Sequence, residues 1–192
     1  MDYFSFLGLP RKLNIDAADL EQRYRALSRQ LHPDYFQNAS AAERRLSLER
    51  SSYLNDAYRT LRNPISRIEY LLKVEGLSSG ARSSDQRAKE EQKVPPALLE
   101  EVFALNEELD EIREARAGGA PPERLRVRAE GARQPIEAKR EEHERDLKAL
   151  AAKWDATGDR EILRALGDRI LERNYINNLL AGVEKELKEL IA

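Results

Sequence analysis

The chain contains no cysteine. Disulfides, thiolate zinc sites and cysteine-held iron–sulfur clusters are therefore excluded, and a reducing compartment is compatible with the composition. No apolar run approaches the length of a membrane span. The start, Met1-Asp2, has neither a basic n-region nor an apolar h-region, so no signal peptide and a cytoplasmic location are expected. Net charge is −2, which leaves no global basic field to attract nucleic acid. There is no glycine-rich phosphate loop, no His/Asp/Glu cluster at ligand spacing and no Ser or Cys nucleophile motif. We therefore expect a protein that is not an enzyme, with no catalytic residues, no cofactor and no metal.

What the chain has in excess is charge. Asp, Glu, Lys and Arg make up 35% of 192 residues, against 9 glycines and 8 prolines, and Ala, Glu, Leu, Arg and Lys dominate. That mixture favours long solvated helices, in one or two domains.

The stretch that organises the rest is Asp16 to Asp34. Leu20, Tyr24, Leu27 and Leu31 recur at i, i+4, i+7 and i+11, one face of a helix with about 3.6 residues per turn. Gln22, Arg25 and Arg29 lie opposite. Asp16 and Asp19 sit where the exposed amides of a helix start favour carboxylates. Pro33 has no amide hydrogen and disfavours helical geometry at His32, so the helix ends at Leu31 or His32.

Around it, Tyr3, Phe4, Phe6, Leu7 and Leu9 are too apolar for an exposed tail and should dock on neighbouring helices. After a loop, Ser40 and Glu43 form a capping-box pattern. The helix that follows presents Leu54, Tyr58 and Leu61, with Ser47, Ser51 and Ala57 alongside, until Pro64 stops it near Asn63. A short helix follows, Ile65 to Val74. Residues 76–93 are polar and Ser/Gly-rich and lack apolar periodicity, as a flexible linker does.

The second half predicts three helices, from about Pro96 to Ala117, Pro121 to Thr157 (bent near Gly131 and Pro135) and Gly158 to Leu190. Short turns between long helices imply antiparallel neighbours. The middle helix carries a seam of Ala129, Ala132, Ile136, His143, Leu147, Leu150 and Trp154. His143 fits as a seam residue, because no second ligand accompanies it. The last helix carries Ile162, Leu166, Ile176, Leu180, Val183, Leu187 and Leu190. The Arg residues from Arg124 to Arg140 alternate with Glu and include no aromatics, which suits ion-paired solvation better than phosphate binding.

A basic-faced helix ending in His32-Pro33-Asp34, followed by a second amphipathic helix, resembles the J-domain of DnaJ-type co-chaperones. The likeness extends further. Met-Asp-Tyr-Phe at the start, Leu7-Gly8-Leu9-Pro10, His32 to Phe36, Leu54-Asn55-Asp56-Ala57-Tyr58, Thr60 to Pro64, Arg67 to Leu72, and Asn106-Glu107-Glu108-Leu109-Asp110-Glu111 are similar to the HscB family, the J-domain co-chaperones of iron–sulfur cluster biogenesis. The resemblance implies an all-α fold. A J-domain helical hairpin (1–75) is joined by a flexible linker (76–94) to a C-terminal antiparallel three-helix bundle (95–192) that binds the scaffold. It implies two partners: a DnaK-type, HscA-like chaperone whose ATPase is stimulated, and an IscU-type iron–sulfur scaffold protein. No nucleic acid or membrane is expected as partner, and the chain is expected to be a monomer. Two departures stand out. Tyr35 replaces the family's usual basic residue after the tripeptide, and the paired-cysteine zinc motif of some eukaryotic relatives is missing, which is consistent with a bacterial-type member.

By the same resemblance, His32, Pro33 and Asp34, with Tyr24, Arg25 and Arg29 on the preceding helix, form the chaperone-binding set. On the first bundle helix, Leu98, Val102, Leu105, Leu109 and Ile112 fall within about 80° and form its core stripe. Leu99 and Phe103 lie outside that stripe, with Glu100, Glu107 and Glu111 beyond them. On the last helix, Leu171, Tyr175 and Leu179 run off the main seam. The two extra stripes are expected to adjoin; the resemblance places scaffold contacts at Leu99, Phe103, Glu107, Glu111 and Tyr175, and Glu100 joins the scaffold-binding set as a carboxylate edging the stripe. The alternative is a J-domain protein that serves a general chaperone with another client. It predicts broad exposed apolar surface in place of a compact apolar and acidic patch.

Overall fold

A computed structural model describes residues 1–36, 38–77 and 96–190, with the side chains of 33 and 96–98 left aside. The expected linker thus lies outside the described residues except for Gly76 and Leu77, and so does the side chain of Leu98. The described residues form seven α-helices and no strand: α1 (Tyr3–Phe6), α2 (Ala17–Leu31), α3 (Ala41–Arg62), α4 (Pro64–Val74), α5 (Pro96–Ala117), α6 (Pro122–Thr157) and α7 (Arg160–Glu189). A 3-10 turn, Pro33–Phe36, joins α2 to α3. Helix α6 continues through Pro135.

The chain divides into two compact units. One takes in Met1–Gly80 with Leu150–Gly167, the other Ala81–Ala149 with Asp168–Ala192.

In the first unit the helix boundaries follow from capping chemistry. Asp16 accepts from Ala18 N at 2.8 Å, and Ser40 and Glu43 complete a reciprocal capping box. Asn63 Oδ1 accepts from Ile65 N and Ser66 N, with Pro64 in the first helical position, where its missing N–H costs nothing. Phe4, Leu7, Leu20, Leu54, Ala57, Leu61, Ile68 and Leu71 are buried together with Leu163 and Leu166. The N-terminal segment docks through aromatic contacts. Tyr3 stacks on Tyr70 with centroids 4.3 Å apart, and its amide donates to the Tyr70 hydroxyl at 2.9 Å.

Two polar anchors hold the loop before α2. The buried Arg67 guanidinium donates to the carbonyls of Leu61 and Leu13; burial lowers its pKa, with the Asp155 charge opposing. Asp155, near the end of α6, accepts from the amides of Leu13 and Asn14 at 2.6 and 2.7 Å. Gly167 comes so close to α4 that a Cβ there would sit 3.3 Å from Leu72 Cδ1. Asp155→Ala removes a charged acceptor from two amides at once. Urea denaturation of the Asp155→Ala protein should show a loss of about 2 kcal/mol; an unchanged midpoint would mean that water replaces the carboxylate without cost.

The second unit is built on register. Arg113 and Arg116 on α5 pair with Glu186 and Glu189 on α7, each 73 residues on, so these two helices run parallel. Glu101 and Glu108 pair with Lys139 and Arg128 on α6, where one number rises as the other falls, so α5 and α6 run antiparallel. Leu105, Leu109, Ile112, Leu125, Ala129, Ile136, Ile176, Leu180, Val183 and Leu187 form the core, with Val102 and Tyr175 packed against it. His143 is 5% exposed. Its Nε2 lies 2.6 Å from the Arg169 carbonyl, so that nitrogen carries the proton and donates. Leu179, expected on an outward stripe, is buried in this core, because α7 meets α5 as well as α6 and so buries a wider face than a single seam.

Candidate functional site

The first candidate site is the turn after α2. His32 has an extended backbone (φ −62°, ψ 127°), as a residue before proline requires. The last turn of α2 is held from α3 by Ser47, whose hydroxyl donates to the Leu31 carbonyl at 2.9 Å. Ser47 is buried for that reason. The sequence marked it only as a small residue on the packing face. The Asp34 amide donates to His32 Nδ1 at 3.3 Å, and Asp34 Oδ2 lies 3.4 Å from the same nitrogen. Both side chains are more than half exposed, so the tripeptide is braced by its own backbone and presented to solvent. Tyr35, beside it, is 74% exposed, with its ring edge-on to His32.

Arg25 and Arg29 are exposed on the same helix. Arg25 pairs with Glu21 at 2.5 Å, and Arg29 Nε donates to the Arg25 carbonyl at 3.3 Å. Such exposed pairs are worth about 0–1 kcal/mol and open readily for a partner. Tyr24 is placed differently. It stacks on Tyr58, centroids 4.2 Å apart, and donates to Asn55 Oδ1 at 2.9 Å. Its position suits fixing α2 against α3 more than reaching outward.

The second candidate site lies on α5. Leu99 is 36% exposed and Phe103 is 72% exposed. Glu100 and Glu107 are exposed on the same helix. Glu111 is drawn towards α6, where the Arg128 guanidinium bridges it at 2.6 Å and Glu108 at 2.8 Å. Those two carboxylates push the Arg128 pKa upward, and the same pairing compensates much of the Glu111 charge. Tyr175 is partly buried against the core. It lines a notch between α5 and α7 with Val102 and Asn106. Among the described residues no group of three His, Asp or Glu side chains is placed to hold a metal ion.

Residues 2–70 match the DnaJ domain family model. The whole chain is similar to the chaperone HscB from Vibrio cholerae, at 29% identity over 99% of both chains with a TM-score of 0.65. The chain carries a DnaJ domain and is similar to HscB along its whole length. It is also similar to the human co-chaperone protein HscB, at 26% identity over 100% of this chain and 84% of that one, with a TM-score of 0.64. The all-α expectation, with a J-domain at the N-terminus and a helical C-terminal region, matches these HscB structures. The exposed tripeptide therefore belongs to the DnaJ domain, while the α5 ridge lies beyond the residues that the domain model covers. No helix among the described residues is long and apolar enough to cross a membrane.

Proposed function

We propose that this chain is a two-site adaptor for iron–sulfur cluster maturation. Residues 1–75 engage a DnaK-type, HscA-like chaperone through His32, Pro33 and Asp34, with Arg25 and Arg29 attracting an acidic surface. Residues 95–192 hold an IscU-type scaffold protein through Leu99, Phe103 and Tyr175, with Glu100, Glu107 and Glu111 around them. The adaptor brings the scaffold to the chaperone and triggers ATP hydrolysis, which locks the chaperone onto it and promotes cluster transfer.

The observation that carries the scaffold half is Phe103. A helix in a three-helix bundle gains nothing by leaving a phenylalanine 72% exposed, whereas a docking surface requires such an anchor. The compactness of the ridge supports a dedicated client over a general one. In the second unit, the exposed large apolar side chains among the described residues are Leu99, Phe103 and Val127, and α5 carries two of the three. A holdase surface would be broader.

The test is a single-turnover ATPase assay with the purified chaperone. The chain and the cluster-free scaffold together should stimulate hydrolysis more than the product of their separate effects. Strictly multiplicative stimulation would leave the scaffold reading without support.

A further inference from the structure

Between α5 and α7 the second unit carries a notch of about 190 Å³. Leu105, Leu109 and Leu179 form its buried lining, and Val102, Asn106, Tyr175, Asn178 and Gly182 form its walls. No charged residue lines it. This sets it apart from the larger groove between α5 and α6, which two ion pairs cross. Its volume is well under the roughly 300–1,000 Å³ of small-molecule pockets, and it suits one large aliphatic or aromatic side chain.

Part of the notch wall, at position 182, has no side chain. The parallel register sets Gly182 beside Leu109, and a Cβ there would meet Leu109 Cδ1 at 3.6 Å, an ordinary contact. Glycine is thus not needed to avoid a clash, and it weakens the helix interior. What it does is leave the space open. At the mouth stand Asn106 and Asn178, both exposed, neither with a hydrogen-bond partner among the described residues. An asparagine amide offers a donor and an acceptor together, which matches free main-chain N–H and C=O groups. A helical segment has few of these to offer, whereas an extended or irregular one does. Leu99 and Phe103 lie about 60° and 100° round α5 from Val102, so the notch borders the ridge.

We infer that this notch receives one apolar side chain of the scaffold protein, carried on a non-helical segment whose backbone pairs with Asn106 and Asn178. The inference rests on the proposal that the α5 ridge binds the scaffold, and it adds the converse contact: Phe103 enters the partner, and the partner enters the notch.

Calorimetry with the cluster-free IscU-type scaffold tests it. Gly182→Ala should fold and melt at or above the wild-type temperature, because alanine suits a helix interior better than glycine. Affinity should fall from Gly to Ala to Val at position 182, reaching about tenfold with Val. Asn178→Ala should lose about fivefold. If Phe103→Ala weakens binding while folded Gly182→Ala and Asn178→Ala proteins bind normally, the notch is not used and the ridge proposal survives. If Phe103→Ala also binds normally, the ridge proposal fails and takes the notch with it. Should Gly182→Val not fold, the alanine variants decide.

Discussion

Replacing His32 with glutamine will reduce stimulation of the DnaK-type chaperone to the level of no co-chaperone, a loss of more than about tenfold, without a measurable change in stability. The stability half follows from placement. His32 lies outside α2, is more than half exposed, and the polar contacts of its side chain are with Asp34, two residues away. Substitutions at such surface positions usually fall within about 0.5 kcal/mol. The bend itself is made by Pro33 and held by Ser47, and both survive the change. The functional half follows from what the turn presents. Glutamine cannot reproduce the imidazole ring, with Nδ1 accepting the Asp34 amide and the other nitrogen left for a partner. Arg25→Ala and Arg29→Ala should act through attraction. Their effect should be largest at low ionic strength and fade as salt is raised, whereas the His32 effect should persist. Normal stimulation by a folded His32→Gln protein would contradict the assignment.

The second large effect is expected on α5. Replacing Leu99 and Phe103 together with alanine should weaken scaffold binding about a hundredfold and leave J-domain stimulation intact. Both side chains are exposed, and alanine is the best helix former, so thermal unfolding should shift little. Tyr175 is the less clean probe, since it packs against the core and its loss mixes stability with binding. The glutamates should divide. Glu100 and Glu107 are exposed and should steer a basic partner, so their removal lowers the association rate at low salt. Glu111 is tied to Arg128 at 2.6 Å and should contribute less. An unchanged dissociation constant in the folded double variant would remove the ridge from the interface.

Local chemistry made much of this legible in advance. The capping box at Ser40 and Glu43, the stop at Pro64 and the seam through Ile136, His143 and Leu147 are signals carried by neighbours three or four residues apart, and the structure has each of them. The outward placement of Leu99 and Phe103 was likewise legible, because helix periodicity alone separates them from Leu105 and Leu109. What periodicity cannot show is which distant segment arrives opposite a residue. Glu186 looks like any surface glutamate on a charged helix, yet it is 1% exposed and lies 2.9 Å from both Arg113 and Arg116. Asp155 and Arg67 bind the same loop from positions 88 residues apart in the chain. Arg128 stands among the alternating Arg and Glu residues of its own helix, where Arg126 and Arg133 pair at i+4, yet it bridges two carboxylates of α5. In each case a long-range charge contact overrides the local pattern.

The central claim is that one chain must hold both partners at once. The most direct measurement mixes two damaged proteins, His32→Gln and Leu99→Ala/Phe103→Ala, in a single-turnover ATPase assay with chaperone and cluster-free scaffold. Each variant retains one docking surface, so the mixture contains both, but on separate chains. An adaptor cannot be reassembled this way, and the scaffold-dependent part of the stimulation should stay absent from the mixture while wild-type protein restores it in full. Recovery of scaffold-dependent stimulation by the mixture would mean that the two surfaces act independently, and it would contradict the account.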